Sequence, residues 1–122
     1  MDKQLRDAFD KEMSLGKQFF SQKQFDTAFH HFERAHVLGQ YYVLPHVKTH
    51  LWMFIIGLRT GNLSEIAGQL LRLPLGVFGS ATGKIPKGNT GGANVKLTAT
   101  MEIPDDLQKY LDNGEANTKN GR

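Results

Sequence analysis

With 122 residues, no cysteine, 39% apolar and 22% charged residues, the chain is sized for one modest core. Disulfides, thiolate zinc sites and cysteine nucleophiles are excluded at the outset. The formal charge of +3 is spread over interleaved lysines and carboxylates, which argues against a nucleic-acid partner. Neither the opening residues MDKQLRDAFDKEMSL nor the longest apolar run, Leu51 to Leu58, has the form of a secretory leader or of the roughly twenty-residue span that a bilayer requires, so a cytoplasmic protein without a membrane segment is expected.

Helical spacing governs the first half. Leu5, Phe9, Glu12, Met13, Gly16 and Phe19/Phe20 recur at three- and four-residue intervals, with Asp2 placed to cap them. After a turn at Ser21 to Gln24, the residues Phe25, Ala28, Phe29, Phe32, Ala35 and His36 form the stripe of a second helix that stops near Gly39. Pro45 opens a third helix running to about Arg59. Asn62 and Glu65, in capping-box spacing, open a fourth through Leu70, Leu71 and Leu73 until Pro74 kinks or ends it.

The first pair resembles a tetratricopeptide-type hairpin in the order Leu15, Gly16, Phe19, Ala28, Phe32, Ala35, where small residues let helices approach and aromatics fill the gap beside them. Stepping forward by that repeat's length of about 34 residues places His50 on the position of Gly16. The predicted fold is therefore all-α, with two tetratricopeptide-like helical hairpins in which the second carries histidines at inward positions.

Beyond Gly79 the pattern changes. The stretch Gly79 to Gly92 is too rich in glycine for a regular helix. Val95, Leu97, Ala99, Met101 and Ile103 alternate with polar residues, which predicts a half-buried strand or extended arm over residues 95–103. Such an arm packs across the helices or pairs with a second copy in a homodimer. Pro104-Asp-Asp-Leu107 starts a short last helix to about Leu111, giving one domain over 1–111 and a disordered tail over 112–122.

All five histidines lie between His30 and His50. His36 falls at the centre of the second helix's apolar stripe, whereas His30 and His31 point away from it, with His31 better placed to reach a neighbouring helix. His46 and His50 are spaced i,i+4, so both rings leave one face of the third helix. The connection from His36 to His46 is short and joins antiparallel helices, so three imidazoles converge at that turn over Met53 and Gly57. Glu33, Glu65, Gln69 and Met53 are candidates for a fourth donor. Glu33 stands in Glu-x-x-His spacing with His36, but the second copy that a di-iron bundle needs is missing, and Glu65 already has a capping role. The expected ligand set is His36, His46 and His50 with Glu33 or Glu65 as a further ligand or orienting group. It suits zinc, copper, nickel or iron.

The loop Gly83-Lys-Ile-Pro-Lys-Gly-Asn-Thr-Gly-Gly92 has the glycines and lysines of an anion nest, but Lys84 is followed by isoleucine, so it is not a Walker loop. Its simpler role is to turn the chain back over the helices, with Asn89 and Thr90 bonding the loop to itself.

The segment His31-Phe-Glu-Arg-Ala-His-Val-Leu-Gly-Gln40, the His46/His50 pair, Gly68-Gln-Leu-Leu-Arg72 and the Gly-Asn-Thr-Gly-Gly loop together resemble a small bacterial family known only as a domain of unknown function. The resemblance covers Phe9 to Leu107. It implies an association with metal-resistance gene neighbourhoods and carries no catalytic residues with it. Three readings follow: a metal-binding helical protein, a tetratricopeptide-like module for a protein partner, and an enzyme acting on an anionic small molecule at the basic loop.

Overall fold

The structure, a computed structural model, describes the backbone of residues 1–120 and the side chains of residues 1–112. Its five helices are α1 (Lys3–Ser21), α2 (Phe25–Gly39), α3 (Val43–Thr60), α4 (Leu63–Thr82) and α5 (Asp105–Asn120). Asp2 caps α1 by accepting from the Leu5 N–H at 2.8 Å. Gly61 closes α3 in the left-handed region at φ 67°, and Asn62 caps α4 through the Glu65 N–H at 3.0 Å.

Helices adjacent in sequence pack on one another, α1 on α2, α2 on α3 and α3 on α4, while α5 lies across α1 and α2. The first contact is close because Gly16 lies under the Phe32 ring, where a Cβ would come within 2.6 Å of it. Phe32 in turn stacks on Trp52 of α3 with centroids 5.3 Å apart. Leu5, Phe9, Met13, Ala28, Ala35, Leu38, Met53 and Ile56 complete the core, and Ile103 and Leu107 close it from the C-terminal side. Glu12 ties three helices: it bonds His31 at 2.8 Å and Arg34 at 3.0 Å, and Arg34 continues to Asp106.

Four expectations need correction. Pro74 does not end α4, which runs on to Thr82. Pro74 is exposed, and removing one backbone donor on the solvent side leaves the flanking hydrogen bonds to carry the helix. Helix therefore also extends through Gly79 and Ser80, the first residues of the stretch read as loop.

Residues 95–103 are not a strand, and no sheet exists among the described residues. The alternation does set burial from Val95 to Thr100, but the backbone turns instead of pairing. Arg72 bonds the Val95 carbonyl, and the Asn89 amide bonds those of Lys96 and Ala99. Side chains thus take the place of a ladder. At the C-terminus the α5 backbone runs to Asn120 instead of stopping near Leu111, and residues 121–122 lie outside the described residues.

Candidate metal centre

His36 leaves the last turn of α2, and His46 and His50 leave one face of α3 near its start. The α2–α3 connection folds tightly because Gly39 lies against Phe9 and Pro45, leaving a Cβ only 2.9 Å from each. Gly76 of α4 lets that helix settle on the His46 and His50 rings, which lie 3.2 and 3.4 Å from where its Cβ would be.

The three Nε2 atoms form a nearly equilateral triangle, with separations of 2.9 Å between His36 and His46 and 3.0 Å for each of the other pairs. All three rings are buried.

Each ring is fixed from behind through Nδ1. His36 Nδ1 bonds the Asn89 carbonyl at 2.7 Å, His46 Nδ1 the Ser80 hydroxyl at 2.7 Å, and His50 Nδ1 the Gln69 side-chain oxygen at 2.6 Å. These partners assign the tautomers. A carbonyl only accepts. The Ser80 hydroxyl donates to the Gln40 carbonyl and so accepts from His46. The Gln69 amide nitrogen donates to Glu65 and to the Gly91 carbonyl, which turns its oxygen toward His50. Every Nδ1 therefore carries the proton, and three Nε2 lone pairs are aimed at one another with no hydrogen between them.

That arrangement is repulsive by itself, and a cation at the centre reverses its sign. The ring-to-ring approaches are therefore not hydrogen bonds, and the three nitrogens lie close enough together that they could share one cation. A transition metal bound there would be held by the three Nε2 atoms as nitrogen ligands. Burial also keeps the rings in the neutral form that a metal needs. It holds His46 and His50 down to about 4, with the neighbouring His50 charge adding to the effect on His46 and Arg72 adding to that on His50. His36 is pushed well below the ordinary value by burial first, then by His50 and His46.

Among the described residues, His36, His46 and His50 are the group of histidine and acidic side chains arranged to hold one ion. Glu33 and Glu65 stand outside it. Glu65 accepts from the Ala93 N–H at 3.1 Å with both oxygens and from Gln69 at 2.7 Å, so it steadies the residue that steadies His50. Its carboxylate does not complete the capping box, because the Ala93 N–H and Gln69 claim it. Glu33 is half-buried, and burial raises its carboxyl above the ordinary range. Gln69 lies behind His50 rather than beside the ion, and Met53 packs beneath the Gln69 amide at 3.6 Å. His30 is exposed, and His31 belongs to the Glu12 cluster, stacked on Phe19.

Sequence reasoning missed Ser80, Asn89 and Gln40, which come from 34, 53 and 46 residues away in their bonds to His46, His36 and the Pro86 carbonyl. The glycine loop explains part of this. Gly88 and Gly91 have φ of 81° and 87°, and a Cβ on Gly91 would lie 2.6 Å from the His36 ring. The loop is shaped to bring Asn89 and Gly91 carbonyls onto the site. The Asn89 side chain also bonds the loop to itself through the Gly91 N–H at 2.8 Å.

The three rings line the inner end of a cavity of about 610 Å³, walled further by Arg72, Leu75, Phe78, Ile85 and Leu97, with Lys84 also on its lining. No helix of the described residues is long and apolar enough to cross a membrane. No curated protein and no solved structure matches the chain. Residues 3–111 match the model of the family described as Protein of unknown function (DUF3703), and the chain belongs to that family.

Proposed function

We propose that this protein binds a single transition-metal ion through His36, His46 and His50 and serves in metal handling or resistance. The observation that carries the reading is the triangle of Nε2 atoms, 2.9–3.0 Å on a side, with every Nδ1 anchored from behind. Such second-layer bonds fix ring direction and raise the basicity of the ligating nitrogen. A donor set of three neutral imidazoles without thiolate suits zinc, copper(II), nickel or iron(II). Glu65 acts in this reading as an orienting group through Gln69. The successive hairpins α1–α2 and α3–α4 are the scaffold that a tetratricopeptide-like ancestry would supply.

Protein purified without a histidine tag, exposed to zinc and dialysed, is expected to retain one ion per chain by elemental analysis. The double variant His46→Ala/His50→Ala is expected to retain none, with the single His36→Gln variant as a milder check on folding. Equal retention by native and variant proteins would remove the reading.

A further inference from the structure

We infer that the metal site takes an organic carboxylate as an exchangeable ligand, its charged head at the ion and its apolar body along the cavity. This rests on the metal reading above. Three rings leave coordination positions open, and an open position is what separates a ligand-exchanging site from a closed structural one. It faces the cavity, because the same three rings line that cavity.

Charge then selects the ligand. Three neutral imidazoles do not offset a divalent ion. Arg72, only 8% exposed, adds a further positive charge on the same cavity. Its terminal nitrogens bond the Gly68 and Val95 carbonyls, and among the described residues it pairs with no carboxylate. No acidic side chain lines the cavity, while Lys84 does. A buried positive excess of this kind is costly until an anion meets it.

Shape selects the rest of the molecule. Leu75, Phe78, Ile85 and Leu97 give the cavity apolar walls, and about 610 Å³ is far more than a hydroxide or a halide fills. A carboxylate with a hydrocarbon or aromatic body satisfies both ends.

The test uses the full chain loaded with cobalt(II), whose visible spectrum reports changes of coordination, titrated with acetate, hexanoate and benzoate. Hexanoate and benzoate are expected to shift the spectrum at concentrations at least tenfold below acetate. Arg72→Met should weaken all three about tenfold. Phe78→Ala, at an exposed position on the mouth, should narrow the gap between benzoate and acetate while leaving cobalt uptake intact. A cobalt-loaded protein whose spectrum no carboxylate moves, or that responds equally to acetate and benzoate, overturns the inference and leaves the metal reading standing. Failure to take up cobalt, zinc, copper or nickel overturns both.

Discussion

The two halves of the molecule are built on opposite rules. Where α1 meets α2 the interior is Leu5, Phe9, Met13, Ala28, Phe32 and Ala35, with Glu12 the one buried charge, at its edge. On α4 the buried residues are Glu65, Gln69, Arg72, Gly76, Gly79 and Ser80, while Leu63, Leu70 and Leu71 face outward. A buried polar group left without a partner costs about 1–3 kcal/mol, so the second interior is tolerable only because it is bonded throughout. Gln69 alone reaches His50, Glu65 and Gly91. The first half holds the fold by excluding water, whereas the second gives up that gain to position three rings.

If this division is right, the largest loss of stability belongs to the first half. Phe32→Ala, at a fully buried ring between Gly16 and Trp52, is expected to cost about 3–5 kcal/mol in urea unfolding. Acid should come next and act on the second half. His46 and His50 are neutral in the fold down to about 4, whereas in the unfolded chain they protonate near 6.5. The unfolded state binds more protons between those values. The metal-free protein therefore has its full stability above about pH 6.5 and loses up to about 1.4 kcal/mol per ring per pH unit as pH falls toward 4. Urea midpoints of the metal-free protein at pH 7 and pH 5 check this; equal midpoints would contradict a neutral buried cluster.

A smaller effect is expected at Gln69→Met, which removes the anchor behind His50 and should weaken metal binding about 10- to 100-fold, measured by competition with a chelator. The smallest belongs to the exposed leucines. Leu63→Ser, measured in dilute protein, should change stability by no more than about 0.5 kcal/mol. A cost comparable to that of Phe32→Ala would mean that the outward face of α4 packs against this chain after all.

Much of the site can be read before any fold is known. The i,i+4 spacing of His46 and His50, the position of His36 on an apolar stripe, and the short connection between them suffice to bring three imidazoles together, because all three act over one helical turn and one tight loop. Glu33 and Glu65 show the limit of such reasoning. Spacing places a carboxylate near a histidine without saying what else competes for it, and for Glu65 the competitors are the Ala93 N–H and Gln69. The alternating segment after Gly92 shows another limit. Its period of two correctly separates covered from exposed residues up to Thr100, yet a strand also needs a neighbour for its backbone, and here Arg72 and Asn89 supply the bonds instead.

The sequence by itself determined that the protein is helical, where α1, α2 and α4 begin, and which three histidines face inward, since these depend on local spacing, caps and turns; α3 starts two residues before the expected Pro45, at Val43. Only the tertiary structure decided what stands behind each ring, that α4 presents its polar side to the interior, and that Arg72 shares a cavity with the histidines. Those depend on contacts between residues as much as 53 positions apart, as from His36 to Asn89. Hydrophobic pattern cannot foretell them, because on α4 the apolar stripe points away from the site.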